Sequence, residues 1–428
     1  MLDIKFIREE PKMVKAACRN RGINCDSEIE RILFLDLQRK TFILKRDNLR
    51  ERKNLLTPGQ AEEGRAIKAE LKELEPELGQ SNEELKALIS QLPNMPQEEV
   101  PVGGESNNKV LRTNGKLPKF NFEPKDHLDL GEGLKVIDVK RAAKVSGSRF
   151  AYIEGEFALM EFALIQLAMS EAVKLGFIPV IPPVLIRPGI TEKLGYWDRG
   201  KSEDYYLVSD SEEQREQGEY QGFYLAGTAE HAVVPMHQDE VFEPGELPKR
   251  YVAFSSAFRR EAGTYGKDTK GIFRVHQFDK VELVSFVRPE ESGKEHQMIL
   301  SLEEKLWDAL KIPYQVVQLA AGDSSLPSAS TIDIEAWFPG QGRYREVSSA
   351  SNTTDFQARR LNIRYKGGDG KPEFVHILNG TGFAIGRTLA AIAENYQTAD
   401  GSIMIPKVLQ KYVGAKKIEA NAHGRAEG

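Results

Sequence analysis

The segment Ser27–Leu92 constrains this chain more than any other. It is densely charged, and in its second half apolar residues recur at Ile67, Leu71, Leu74, Leu78, Leu85, Leu88 and Leu92, with Ser81 filling the one gap. Alternating steps of four and three residues keep one seam of a helix apolar, which is the pattern of a coiled coil. The first half is less regular, but Leu35, Phe42 and Leu49 recur every seven residues. Leu56-Thr57-Pro58-Gly59-Gln60 falls between the halves and reads as a turn. Two long helices folded back on each other satisfy all of this. Each would have about 30 residues and reach roughly 45 Å at 1.5 Å per residue. Pro76 predicts a kink in the second helix.

Basic residues crowd this hairpin: Arg39, Lys40, Lys45, Arg46, Arg50, Arg52, Lys53, Arg65 and Lys68, against Asp47, Glu51, Glu62 and Glu63. A solvated helical face and a rod that grips a phosphate backbone fit the pattern equally well. The chain as a whole carries a net charge of −5, so a nucleic-acid surface would have to be local.

The rest of the chain sets wider bounds. Its 428 residues suffice for two or three domains, and 29% charged with 40% hydrophobic residues is ordinary for a soluble globular protein. No apolar run approaches about 18 residues, so no membrane span is expected. The opening MLDIKFIREEPKMVK lacks the apolar core of a secretory signal. The two cysteines, Cys18 and Cys25, make neither a disulfide framework nor a four-ligand zinc site. A reducing, cytoplasmic location is the expectation.

Residues 1–26 read as a short helical entry, with Pro11 at a first helical position and Gly22 past an end. The Pro-, Gly- and Asn-rich stretch that follows the hairpin reads as a linker. The expected division is an N-terminal domain over 1–100 with its arm at about 27–92, a linker over 101–121, and a second domain over 122–428. In the second domain a helix is expected over Glu156–Leu175, ended by Gly176, and another from near Ala384 to Asn395. Strands are expected over Ile178–Ile186, Tyr251–Glu261, Ile272–Val287, Thr331–Phe338 and Phe374–Leu378. Strands dominate between 245 and 290, so an antiparallel sheet in an α+β fold fits better than a doubly wound parallel one.

Several constellations could carry chemistry. There is no G-x-x-x-x-G-K-[ST] phosphate loop, and Gly380-Thr381-Gly382 through Gly386 misses the dinucleotide fingerprint by one residue. Strand alternation would put Arg259 and Glu261 on one face, and Phe278 and Glu282 on another. Together they would give a cavity a cation, two carboxylates and an aromatic plate for a purine, or simply a hairpin with a surface ion pair. Gly380–Arg387 reads as a strand-to-helix turn with an arginine early in the helix, suited to an anion or to close packing alone. Arg345-Glu346-Val347-Ser348-Ser349 offers a carboxylate and hydroxyls that could hold Mg²⁺ on nucleotide phosphates, or an exposed strand end.

In this order the motifs resemble those of class II aminoacyl-tRNA synthetases, and within them the seryl-tRNA synthetase family, over nearly the whole chain. Gly176 through Pro183 resembles the family's first motif, which builds a dimer interface. Phe258-Arg259-Arg260-Glu261 with His276 through Glu282 resembles the second, and Asn379 through Arg387, ending Glu394-Asn395-Tyr396, the third. Leu225-Ala226-Gly227-Thr228-Ala229-Glu230 looks like its serine-binding loop.

The resemblance implies an antiparallel class II catalytic domain that activates L-serine with ATP and loads tRNA(Ser), and in the family also selenocysteine tRNA. By it, Thr228, Ala229 and Glu230 frame the serine ammonium, and Arg259 meets the carboxylate and α-phosphate. Glu282 and Thr381 receive the hydroxyl. Arg260, Glu261, Val275 and Phe278 hold the nucleotide, Arg387 meets the γ-phosphate, and Glu346, Val347, Ser348 and Ser349 hold ATP, with Glu346 and Ser349 on Mg²⁺. Arg259, Glu346 and Arg387 are the implied catalytic set. The hairpin, through Arg39, Lys45, Arg46, Arg50, Arg52 and Lys53, becomes a tRNA-gripping arm, and the assembly a homodimer.

One departure is Ala321 through Ser330, where the family usually has Gly-Asp-Met-Gly and a later lysine. A zinc-dependent form of the family needs a cysteine ligand for which neither Cys18 nor Cys25 is placed, so no zinc is expected. Two other readings compete. A ligase that loads a carrier protein would lack the long arm, and a catalytically dead relative would have lost Arg259, Glu261, Glu346 and Arg387.

Overall fold

Asp26–Asn54 and Ala61–Ser90 form two helices of 29 and 30 residues, α3 and α4, which follow two short ones, α1 (Ile4–Glu9) and α2 (Pro11–Asn20). The computed structural model describes residues 1–57, 59–196, 204–208, 222–261 and 270–419. It divides into two units, Met1–Pro96 and Gln97–Gly428. Among the described residues no helix is long and apolar enough to cross a membrane.

In the first unit α3 and α4 run antiparallel, as ion pairs Arg31–Glu84, Arg50–Glu75 and Arg52–Glu63 require. The expected seam is buried at Ile67, Leu71, Leu74, Leu78, Ser81, Leu85 and Leu92, with Leu49 against it. At its base Ile89 is buried and Leu88 only half so. A helix of 3.6 residues per turn drifts against a seven-residue repeat, and by this point the drift has turned the neighbouring residue inward. The helix α4 continues through Pro76.

Asp36 of α3 is buried and accepts hydrogen bonds from Arg8 at 2.8 Å and Arg39 at 3.1 Å, with Lys40 at 3.3 Å. Burial alone would raise its carboxyl, but Arg39, Arg8 and Lys40 outweigh burial and hold it below the usual range. Such a group stabilises the fold above its unfolded pKa, and that stability is lost as pH falls through the depressed folded value. Asp36→Asn is therefore expected to cost roughly 1–3 kcal/mol at neutral pH. The deficit should shrink in acid, where Asp36 is protonated in both states. Urea denaturation of the two proteins at neutral and acid pH checks it; a deficit that grows in acid contradicts it.

The second unit is built on eight strands: β1 (Lys109–Asn114), β2 (Ile178–Val180), β3 (Lys249–Phe258), β4 (Gln277–Val287), β5 (Tyr314–Gln318), β6 (Ser330–Phe338), β7 (Arg343–Asn352) and β8 (His376–Ala384). Their order in the sheet is β1-β5-β6-β7-β8-β4-β3-β2. All pairings are antiparallel except that of β2 with β3. Helices α5 (Gly155–Val173), α6 (Ser292–Leu310) and α7 (Ile385–Asn395) pack their apolar faces into one core with the sheet, around Phe157, Trp307, Val281, Phe383 and Leu389. The antiparallel sheet flanked by helices is the expected α+β architecture.

Several local expectations differ. The strand expected over Ile178–Ile186 is broken into Ile178–Val180 and Leu185–Ile186, and that expected over Ile272–Val287 begins at Gln277. The stretch 101–121, read as a linker, contains β1, an edge strand paired with β5. All six of its residues are exposed, so it carries no apolar alternation to betray it. Gly380–Arg387, read as a turn, is strand as far as Ala384, and the helix begins at Ile385. The strand expected to reach Glu261 ends at Phe258.

Candidate active site

Two β-bulges decide which side chains reach the open face of the sheet. Along β4 and β8, Val281 pairs with Phe383 but Glu282 with Thr381, leaving Gly382 as the extra residue. A bulge reverses the alternation of a strand beyond it. Phe383 thus faces the helices with Val281, while Thr381, two residues away, faces the cavity with Glu282. Along β6 and β7, Ile334 pairs with Ser348 but Glu335 with Glu346, leaving Val347 extra. Glu346 and Ser349 consequently both reach the cavity.

That cavity has a volume of about 440 Å³ and is walled by Tyr196, Thr228, Glu230, His231, Arg259, Glu261, Lys280, Glu282, Glu346, Ser349, Asn379 and Thr381, among others. Ser325, from the departing segment 321–330, stands at its edge. An adjoining hollow shares Arg259, Glu261, Lys280, Glu346 and Thr381 and adds Phe273, Arg274, Val275, Phe278, Val347 and Arg387. Arg259 stands where the two meet.

Arg259 follows the end of β3, and its Nε donates to the Gly227 carbonyl at 3.0 Å. Its guanidinium lies 5.5 Å from the centre of the Phe278 ring. Glu261 holds φ at +51°, a left-handed conformation rare outside glycine, and pairs with Arg274 at 3.8 Å. Arg387 pairs with Glu346 at 2.9 Å and lies over the Phe273 ring. The Glu346 side chain is half accessible; desolvation within the cleft would raise its carboxyl, but Arg387 and Arg259 outweigh it and keep the group below its ordinary range.

At the other end, Glu230 accepts hydrogen bonds from the Tyr196 hydroxyl at 2.9 Å and from Gln357 Nε2 at 2.7 Å. Burial raises its carboxyl, against the pull of those two donors, Lys280 and Arg259. His231 is pushed down to about 3 by burial and by the same two cations, so it is neutral; its Nδ1 accepts from the Gly227 N–H at 3.2 Å. Burial and Arg259 lower Lys280 to about 7 while Glu230 opposes them, and its ammonium forms an ion pair with Glu282.

Three residues of the expected set lie elsewhere. The Ser348 hydroxyl accepts from Trp307 Nε1 at 3.1 Å on the helix side of the sheet, because of the bulge at Val347. Ala229 is buried in a separate apolar cluster with Val233 and Phe242. Arg260 is exposed and lines neither hollow. The loop residues Ala262–Thr269 lie outside the described residues. Sequence reasoning missed Lys280, Tyr196, His231, Asn379 and Gln357. Lys280 and Asn379 left a signal, since they share strand parity with Phe278 and Glu282 and with Thr381 respectively.

Of the arm residues, Arg39 pairs with Asp36, Arg46 with Asp47, Arg50 with Glu75 and Arg52 with Glu63. Lys45 and Lys53 are exposed. Surface pairs of this kind contribute about 0–1 kcal/mol.

An antiparallel sheet whose open face carries two arginines, a buried lysine and a row of carboxylates is the catalytic architecture of a class II synthetase, and residues 206–396 match the tRNA synthetase class II core domain (G, H, P, S and T). Residues 1–96 match the seryl-tRNA synthetase N-terminal domain. The serine–tRNA ligase 1 of Streptomyces avermitilis is 43% identical over 98% of this chain and 99% of its own. The crystal structure of seryl-tRNA synthetase from Pyrococcus horikoshii complexed with ATP superposes with a TM-score of 0.91 at 41% identity, covering 98% and 99% of the two chains. The cytoplasmic serine–tRNA ligase from Naegleria fowleri in complex with AMP gives 0.87 at 31% identity, with the same coverage. The chain belongs to the seryl-tRNA synthetase family.

Proposed function

We propose that this chain activates L-serine with ATP to seryl-adenylate and pyrophosphate, then transfers serine to the 3′ end of tRNA(Ser). The observation that carries the reading is that Thr228, Glu230, Glu282 and Thr381 wall the same cavity as Arg259. Serine offers an ammonium, a carboxylate and a hydroxyl. Glu230 would take the ammonium, whose charge would favour its carboxylate form. Arg259 would take the carboxylate. Glu282 and Thr381 would take the hydroxyl, with Lys280 paired to Glu282. A site whose buried polar groups need a hydroxyl rejects the analogue lacking it by about 10⁴–10⁵, so alanine is excluded.

ATP would lie with adenine against Phe278 and Val275, Glu261 at its edge and Arg387 at the γ-phosphate. A serine carboxylate oxygen attacks the α-phosphorus in line, the bond to pyrophosphate breaks, and positioning with charge neutralisation carries the step. Mg²⁺ suits Glu346 and Ser349, since magnesium is commonly held by one or two carboxylates together with phosphates and Glu346 is kept ionised. When bound it would neutralise phosphate charge. The exposed Phe162 and Ile181, 68% and 81% accessible, with Leu159, Val173 and Ile178 beside them in sequence, support a homodimer through the first motif. A cytoplasmic location belongs to the same reading.

The test is exchange of pyrophosphate into ATP. We expect exchange that requires serine and magnesium, with alanine inactive. Absence of exchange at saturating serine would overturn the proposal.

A further inference from the structure

Glu394, near the C-terminal end of α7, carries a carboxyl group that the reaction above does not use. It is fully buried and fully engaged. Its Oε2 accepts from the Gly340 N–H at 2.9 Å. Its Oε1 accepts from Gln341 Nε2 at 3.3 Å, from the His127 backbone N–H at 3.2 Å and from His127 Nδ1 at 3.1 Å. His127 opens a short helix, His127–Gly133, and is itself buried. Its other ring nitrogen, Nε2, accepts from the Ile272 N–H at 3.4 Å. An imidazole that accepts at Nε2 carries its proton at Nδ1 and donates from there. The result is a chain of two bonds, from the Ile272 backbone to His127 and from His127 to Glu394.

The chain ends on a wall of the nucleotide hollow. Residues 270–276 lead into β4 and belong to no helix or strand. Ile272, Phe273, Arg274 and Val275 nevertheless line the hollow that holds Arg387. Backbone of this kind is placed by whatever takes its polar groups. Two glycines show how closely this is done. Gly271 has φ +72°, and a methyl group on it would stand 2.1 Å from His127 Nε2. A methyl group on Gly386 would stand 2.8 Å from the Ile272 carbonyl oxygen. The Ile272 peptide is thus held between the His127 ring and the first turn of α7. Beside it, the Phe273 ring carries the Arg345 guanidinium at 3.9 Å and that of Arg387 at 5.0 Å. Arg345 donates to Gln341 Oε1 at 2.5 Å, and Gln341 donates to Glu394. Glu394 therefore braces Phe273 from two directions, through His127 and through Arg345.

We propose that His127 is a positioning residue for ATP: braced by Glu394, it holds the Ile272 peptide, and so sets Phe273 and the Arg387 guanidinium lying over it against the nucleotide. This rests on reading that hollow as the ATP site. The bond that matters runs from the Ile272 N–H to Nε2, and any acceptor at that point serves.

Serine-dependent pyrophosphate exchange by His127→Asn and His127→Gln tests it, with folding followed by circular dichroism. The Asn amide reaches as far as Nδ1 does. It keeps a donor for Glu394 but leaves the Ile272 N–H without an acceptor. His127→Asn should raise the ATP KM roughly tenfold, the worth of one hydrogen bond, and leave the serine KM within about twofold. The Gln amide reaches as far as Nε2 does, so His127→Gln should keep both KM values within about threefold of the parent. A parent-like ATP KM in His127→Asn, an equal rise in both KM values, or a Gln variant as impaired as the Asn variant would overturn the inference. Should His127→Asn not fold, Gly271→Ala, whose methyl group would drive the ring away from Ile272, is read by the same ATP and serine criteria. The parent chain assayed alongside separates the two levels. No serine-dependent exchange there overturns the function itself, whereas intact exchange with an insensitive His127→Asn overturns only the role of His127.

Discussion

Arg259→Ala is expected to reduce serine-dependent pyrophosphate exchange by roughly 10²–10³-fold, the usual effect of removing one preorganised group that stabilises transition-state charge. Arg259 occupies the junction of the two hollows and is held there by the Gly227 carbonyl and the Phe278 ring. In the proposed reaction that junction is where the attacking carboxylate meets the α-phosphate. Negative charge then develops beside Arg259, with Lys280 and Arg387 among the other cations that line the two hollows beside it. The same substitution removes a cation that depresses both Lys280 and His231, so Lys280 should hold its proton to higher pH. Arg259 is half-buried, and its loss should leave thermal stability nearly unchanged. Measured kcat/KM for exchange within about threefold of the parent would remove Arg259 from the reacting centre.

Deleting residues 36–84 and rejoining the stumps of α3 and α4 should separate the two half-reactions. Exchange should survive, because every residue of the proposed active site lies in the unit Gln97–Gly428. Charging of tRNA(Ser) should fall by about 10³-fold or more. A protein that neutralises six phosphates with Lys or Arg depends on those contacts on that order between low and moderate salt, and six basic residues of the arm are the proposed contacts. In the intact protein, charging should also weaken steeply with salt while exchange does not. Loss of both activities with the second unit still folded would give the arm another role. Retained charging would show that the grip lies elsewhere.

What was legible in the sequence followed periodicity. The seam of α4 could be read from Ile67 to Leu85 because each position is a separate apolar vote for one helix face. It failed only at Leu88, where accumulated drift favours Ile89. The sheet strands were legible where they are buried, as in Leu283–Val287, and illegible in β1, which is short, polar and exposed at an edge. The site residues were found by motif, yet their directions were not. Parity counting puts Thr381 and Phe383 on one face, and Glu346 with Ser348 on another. The bulges at Gly382 and Val347 reverse both, which brings Thr381 into the cavity and sends Ser348 out of it. A bulge is a property of the pairing between two strands, and one strand's sequence holds only half of it.

The central claim is that this chain joins serine to its tRNA, and charging of purified tRNA(Ser) with labelled serine tests it most directly. With ATP and Mg²⁺ present, the full chain should transfer serine to the 3′ end of tRNA(Ser), and should leave a tRNA for another amino acid uncharged. Serine-dependent exchange without any transfer to tRNA(Ser) would contradict the account.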